Sequence, residues 1–394
     1  MTPSTAPPQV SDPTTDRTLG RTPTVGILST YPPTACGLAT FSAALAQGLS
    51  FHGGDVNVVR ISDESTTTDP SVVAHLSNGS AASVAAASES LSDNDIAIVQ
   101  HEYGLYGGDD GDEVVDVIGG LRVPSIVVAH TVLTTPTAHQ RSVLVEIAAM
   151  ADRVVVMSDA ANQRLRRGFD VDPRKVVTIP HGATVPGQRA AAASSHEPTL
   201  LTWGLLGPGK GIERVIDALG TLHGLGVRPR YRVAGRTHPK VLAADGESYR
   251  HGLIDRAERL GIAQSVCFDP AYRDVGSLTS LIQTSSIVVL PYDSSDQVTS
   301  GVLVDAIACG TPVISTAFPH AVELLASGAG IVVDHDDPDA LVSALYRMLT
   351  QPRLRAAMAA EAARLAPSMA WPVVANAYLG VANTLLAERR SLAS

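Results

Sequence analysis

Between Pro291 and Val313 the chain reads PYDSSDQVTSGVLVDAIACGTPV, an order of residue types that suits a ligand site. It predicts a buried strand, a polar loop, a helix opening on Thr299, Ser300 and Gly301, and then a second turn and strand. A strand that feeds a small-residue loop at a helix start aims unpaired backbone N–H groups and the positive end of the helix dipole at one point. That point suits a phosphate. Asp305 lies far enough along the helix to meet a different part of the same ligand, where a carboxylate would accept hydrogen bonds from vicinal ribose hydroxyls. The pair predicts a nucleotide diphosphate.

Other segments repeat the strand-to-helix turn. Trp203 to Glu213, WGLLGPGKGIE, carries Gly209 and Lys210 at a helix start. A lysine is unfavourable to the dipole there unless an anion is bound. Ser29 to Phe41, STYPPTACGLATF, turns around Gly37 with Cys36 and Leu38 beside it, although any strand-to-helix turn accepts a glycine. Cys36 is either a reactive thiol at a helix start or a packed one. His101 (followed by Glu102), His130 and His181 each end a strand-like run. In open α/β sheets that end faces the ligand crevice; a satisfied buried histidine is the competing account. In FPHAVEL, His320 could look into the cleft and Glu323 could do so or favour its own helix start. Asp109, Asp110, Asp112 and Glu113 in YGGDDGDE could meet a divalent metal or acceptor hydroxyls, or form a mobile solvated loop. Asp334 to Asp339 reads as a helix cap with proline in the first turn.

The signature segment resembles that of the retaining glycosyltransferases of family four, which have the GT-B fold and use nucleotide sugars. The family has two glutamates eight positions apart, the first followed by Phe-Gly and the second by Ala-x-Ala-x-Gly-x-Pro-Val. Here Asp305, Ala306, Ala308, Gly310, Pro312 and Val313 match the second half, with Asp305 replacing the second glutamate. Gln297 stands at the first, and Thr299-Ser300 replace Phe-Gly. Gln297 can hydrogen-bond sugar hydroxyls but carries no charge for a cationic transition state. Leu205 occupies the position of the family's arginine, so Arg236, or failing that Arg273, would supply the second cation beside Lys210.

The resemblance implies an α/β chain with two Rossmann-like doubly wound domains facing an interdomain cleft. It implies a hexosyltransferase that moves a hexose from a UDP- or GDP-sugar to a hydroxyl acceptor with retention. His130, Lys210 and Gln297 would be the catalytic candidates. Gly37, Gly209, Lys210, Arg236, Gln297, Thr299, Ser300, Gly301 and Asp305 would meet the donor, and His101, Glu102, His320 and Glu323 the acceptor or cleft. His181-Gly182 would mark the hinge, and the loop Ala271 to Arg273 would read the base through its backbone. The acceptor would attack from the leaving-group side, with the departing phosphate taking its proton. No required cofactor or metal is expected. The rivals are a catalytically silent sugar-nucleotide-binding regulator and a nucleotide-sugar epimerase or hydrolase of the same fold. A Rossmann dehydrogenase fits poorly, since no G-x-G-x-x-G opens the first helix with an acid about 20 residues later.

Positioning these residues takes two domains. The chain has 394 residues, and single cores rarely exceed roughly 250 to 300. Strand-type runs alternate with Ala/Leu-rich helical stretches, the pattern of parallel α/β sheets. Six strands are expected between Thr24 and Ile179 and six more between Thr199 and Val333. The divisions are a Thr/Pro/Ser-rich disordered leader over 1–22, a first domain over 23–182, a linker over 183–198 and a second domain over 199–369. A final helix at about 370–388, opened by Trp371-Pro372, would return to the first domain as in the family's terminal crossover. The net charge of −10 argues against a general nucleic-acid binder. Three widely spaced cysteines suit a reducing cytoplasm, and the excess of arginine over lysine suits a GC-rich bacterial genome. The apolar runs are too short to span a bilayer. Arg164, Arg166, Arg167, Arg174 and Lys175 form either a solvated helix face or a peripheral membrane contact.

Overall fold

The structure, a computed structural model, describes residues 21–63, 65–187, 197–271 and 273–393. Most of the expected leader, the centre of the expected linker and Tyr272, in the loop expected to read the base, lie outside the described residues. The first parallel sheet comprises β1 (Val25–Ser29), β2 (Val56–Ile61), β3 (Val72–Leu76), β4 (Ile96–His101), β5 (Ser125–Ala129), β6 (Arg153–Val156) and β7 (Val176–Thr178). Its order is β3-β2-β1-β4-β5-β6-β7. The second comprises β8 (Thr199–Trp203), β9 (Arg230–Ala234), β10 (Val266–Asp269), β11 (Ile287–Leu290), β12 (Val313–Thr316) and β13 (Gly330–Val333), in the order β10-β9-β8-β11-β12-β13.

The central strands read as continuous apolar runs because both faces are covered. Every residue of β1, β4 and β5 is buried. β3 is the strand that the sequence does not announce. It alternates half-buried and exposed positions at the sheet edge, and its pairing with β2 shifts register at Val58/Val59.

In each sheet the strand order reverses beside the first strand, between β1 and β4 and between β8 and β11. Crevices at the carboxyl ends of such switch points hold ligands in open α/β sheets. His101 ends β4, and the connections leaving the other three strands lead to Gly37, Lys210 and Gln297.

The helix Trp371–Ala393 returns across the chain and packs on the helix Gly37–Phe51 of the first half. Val374, Ala375, Tyr378 and Leu379 join Phe41, Leu45 and Leu49 in one buried cluster, each large apolar side chain contributing about 1.5–3 kcal/mol. Gly182 makes the crossover possible, since a Cβ there would stand 2.4 Å from the Trp371 ring. No helix of the described residues is long and apolar enough to cross a membrane.

The basic cluster expected as one solvated face is dispersed. Arg164 turns toward the second domain and pairs with Asp296. Lys175 Nζ donates to the carbonyls of Ala149 and Ala151 at 2.6 and 2.8 Å, closing the end of the helix Ala138–Met150. Arg174 pairs with Asp172. Only Arg166 and Arg167 remain exposed along the helix Asp159–Gly168, where they complement its C-terminal dipole.

Candidate active site

The helix Gly301–Ala308 opens as its residues dictate. Ser300 is its N-cap, with Oγ accepting from Leu303 N at 3.2 Å. The Ser300 amide, expected as an anion donor, is already taken, since it donates to His320 Nδ1 at 2.9 Å. This corrects the reading of His320 as a cleft residue: its ring is buried and fastens the signature loop. Gly301 and Val302 precede the first intrahelical bond, so their amides are the donors left at the helix mouth. Thr299 Oγ1 is buried without a hydrogen-bond partner in the structure. Gln297 Nε2 donates to Thr299 O at 2.9 Å, which ties the side chain to its own loop.

Asp305 sits one turn further along. Burial lifts its carboxyl from the ordinary 3.8 to about 7, because a charge there has left water without a compensating donor.

Beside this helix, the Lys210 loop is forced into place by a glycine. Gly211 has φ +63°, and a Cβ there would fall 1.8 Å from the Pro291 carbonyl oxygen. No other residue fits that approach. Asp293 N also donates to Gly209 O at 3.0 Å, so the loops after β8 and β11 are joined through their backbones. Lys210 Nζ lies 4.5 Å from the Tyr292 ring centroid, a cation–π contact. Burial lowers its pKa, and no carboxylate of the described residues lies within ion-pair distance of it.

Of the two candidate second cations, Arg236 is exposed after β9, and its carbonyl accepts from Leu206 N at 2.9 Å, beside the Lys210 loop. Arg273, the fallback, is ion-paired to Asp269.

Across the seam, His130 Nε2 meets Gln100 Oε1 at 2.7 Å. The amide oxygen accepts, so that nitrogen carries the proton. Burial, then His181 and His101, lowers its pKa to about 3. His181 stands against the signature helix, where a Gly301 Cβ would be 3.0 Å from its Nε2. Phe41 makes edge contacts with both rings, at 4.9 Å to His130 and 5.0 Å to His181. His101, His181 and His320 are each lowered to about 4 by burial. All four rings are neutral at pH 7, able to donate or accept but not to balance a phosphate.

At the end of β4, both ring nitrogens of His101 and the Tyr103 hydroxyl are buried without partners in the structure. Glu102 is held near them by Thr131 Oγ1 at 2.6 Å, and burial raises its pKa. Gly37 opens the helix Gly37–Phe51 with free space where a Cβ would project. Cys36 caps that helix, its Sγ accepting from Ala39 N at 3.4 Å, with Leu38 next in line.

Two acidic features differ from expectation. Glu323 does not face the cleft: Oε1 and Oε2 accept from Asp159 N and Ala160 N at 2.9 and 2.8 Å, capping a first-domain helix from the second domain. The acidic loop is held rather than free. Asp110 accepts from His139 and Gln140, and Glu113 from the amides of Gly79 and Gly107. Among the described residues no group of three or more His, Cys, Asp or Glu is arranged to hold a metal ion.

This pairing of sheets, with switch points facing one seam, is the GT-B fold. It is shared with a glycosyltransferase from Rickettsia africae ESF-5 at a TM-score of 0.74 and 14% identity, over 92% of this chain and 98% of that one. A sucrose-phosphate synthase from Thermosynechococcus elongatus gives 0.70 and 18% over 92% and 99%. Anabaena Alr3699/HepE in complex with UDP gives 0.70 and 18% over 93% and 99%.

Residues 188–365 match the family of glycosyl transferases group 1. The chain has the GT-B fold, and the match to that group lies in its second half. Among its relatives, the D-inositol 3-phosphate glycosyltransferase of Rhodococcus jostii (strain RHA1) is 28% identical over 244 residues, 59% of this chain and 53% of that protein. The one from Stackebrandtia nassauensis is 29% identical over 301 residues, 69% and 66%. The chain thus spans about half the length of the Rhodococcus relative.

Proposed function

We propose that the chain is a retaining hexosyltransferase that moves a hexose from a UDP- or GDP-sugar to a hydroxyl acceptor. The observation that supports this reading is Lys210, a half-buried ammonium over the Tyr292 ring without a carboxylate partner among the described residues, at the Gly-rich start of the helix Ile212–Gly224. An anion is what that arrangement lacks. Lys210 would grip the diphosphate with Arg236 and the amides of Gly301 and Val302. Gly209 and Gly37 would allow close backbone approach, and Asp305 would take the ribose hydroxyls. Gln297, Thr299 and neutral His130 would meet the hexose, and the buried polar atoms of His101 and Glu102 would serve the acceptor side.

The chemistry then rests on position and charge. The acceptor hydroxyl attacks on the face from which the diphosphate departs, and the departing phosphate takes its proton. Closure of the two domains excludes water. No metal or cofactor enters this scheme. We place the protein in the bacterial cytoplasm, which the three free cysteines suit, with the two exposed arginines of the helix Asp159–Gly168 open to peripheral membrane contact.

One observation favours a second reading, a silent sugar-nucleotide-binding regulator: Gln297 is uncharged and bonded to its own loop. Thermal-shift screening of UDP, GDP, ADP and their hexose conjugates tests both, since a ligand at about 100 times its Kd adds roughly 2.7 kcal/mol of stability. We expect a selective shift with one nucleotide series and turnover of its hexose conjugate. A shift without turnover favours the regulator; no shift with any of them overturns nucleotide binding.

A further inference from the structure

The loop between β11 and the helix Gly301–Ala308 belongs to the second domain by sequence, yet the first domain holds it at consecutive points. Arg164 Nη1 donates to Asp296 O at 2.7 Å and to Asp296 Oδ1 at 2.5 Å, and also to Val132 O at 2.8 Å. Thr134 N donates to Asp296 Oδ2 at 3.1 Å, and its hydroxyl donates to Oδ1. Two residues on, Val298 is only 3% exposed and belongs to the apolar cluster of the first domain that includes Tyr103, Val132 and Leu165. Its carbonyl accepts from the buried Ser158 hydroxyl at 2.6 Å. Glu323 closes the same seam through its bonds to Asp159 N and Ala160 N.

Gln297 lies between Asp296 and Val298, and Thr299 follows. Both neighbours of Gln297 are fixed to the first domain, while its own carbonyl accepts from His320 N at 3.3 Å in the second, so its direction is set by the two domains together. A loop fastened only by its ends would leave Gln297 and the buried Thr299 hydroxyl free to turn. An off-axis group costs rate because chemistry demands close alignment of the reacting atoms. Lys210 and Asp305, by contrast, sit on second-domain backbone that none of these contacts touches.

We infer that Arg164, Asp296 and Val298 are positioning residues. Docking of the first domain onto this loop orients Gln297 and Thr299 toward the transferred hexose, while the nucleotide is held independently of it. The inference rests on the glycosyltransferase reading for what is positioned, and on geometry alone for the clasp. A nucleotide can then bind before the clasp closes, and only the clasped state is arranged for transfer. Breaking the clasp should slow transfer and let water compete for the hexose.

The test compares the full chain with Arg164→Met, Asp296→Asn and, as control, Arg167→Gln on the exposed side of the same helix. Amide hydrogen exchange should quicken at least about tenfold over residues 291–300 and 158–162 in the first two variants, reporting loss of local protection, and stay unchanged in the control. Affinity for UDP or GDP should stay within about threefold while kcat falls at least about tenfold, the signature of lost transition-state positioning. Free hexose released per hexose transferred should rise. Unchanged exchange would overturn the clasp; equal losses in kcat and nucleotide affinity would overturn the positioning role. If the wild-type protein binds neither nucleotide, the glycosyltransferase reading and the positioning role fall together, and the exchange comparison still decides the clasp.

Discussion

Replacing Asp305 with asparagine separates its effect on the fold from its effect on the ligand. Burial carries the carboxyl from 3.8 to about 7, and each pH unit is worth about 1.4 kcal/mol, so the charged form weakens the fold by at most about 4 kcal/mol above pH 7. The sign follows from proton uptake. Between pH 3.8 and 7 the folded state holds a proton that the unfolded chain has released, so stability contributed by this group falls as pH rises through that window and levels off above it. Asp305→Asn removes the titration. The variant should unfold in urea close to wild type at pH 5 and be more stable at pH 8, by up to about 4 kcal/mol, less the cost of an amide buried without partners, about 1–3 kcal/mol. The same variant should bind UDP or GDP more weakly at pH 8 by about 1.5–3 kcal/mol, the worth of hydrogen bonds to a charged group. A stability difference that does not change with pH would refute the burial argument. Unchanged nucleotide affinity would refute the ribose assignment.

Two other substitutions divide the donor site. Lys210→Ala should weaken UDP or GDP binding by at least about 1.5 kcal/mol in titration calorimetry, and unchanged affinity would remove Lys210 from the diphosphate. Gln297→Glu should change turnover more than nucleotide affinity, since the residue is assigned to the hexose; equal effects on both would move it elsewhere.

The parallel architecture was legible because buried strands leave continuous apolar runs, and β1, β4 and β5, buried at every position, fall within one residue of where those runs lie. β3 was not, because an edge strand with alternating exposure carries half the signal. Lys210 stood out through one local conflict, a cation at a helix start, and its role in the donor site is the proposal above. Asp305 could be placed by its spacing from the helix mouth. The fastening of the site was hidden for a common physical reason: its partners are chosen by tertiary docking, not by local propensity. His320 takes the Ser300 amide from 20 residues away, Asp296 meets Arg164 across 132, and Glu323 caps a helix begun 164 residues earlier. A glutamate near its own helix start is locally consistent with capping that helix, and nothing in FPHAVEL shows that it caps another.

In the proposed donor site, the electrostatics of Lys210 and Asp305 favour a nucleotide diphosphate over a neutral sugar alone. Burial disfavours the charged form of Lys210 and of Asp305, and the four histidines nearby are neutral and balance neither. A ligand that places an anion on Lys210 and hydroxyl donors on Asp305 relieves both strains at once, and the carboxyl then releases its proton on binding near pH 7. A free hexose offers hydroxyls but no anion, and inorganic phosphate offers an anion without vicinal hydroxyls. Only a ligand carrying both answers the two groups together, one just before the helix Ile212–Gly224 and the other within the helix Gly301–Ala308. The proposed reading therefore predicts selectivity for a nucleoside diphosphate over either fragment from the placement of Lys210 and Asp305, before any contact with the base is counted.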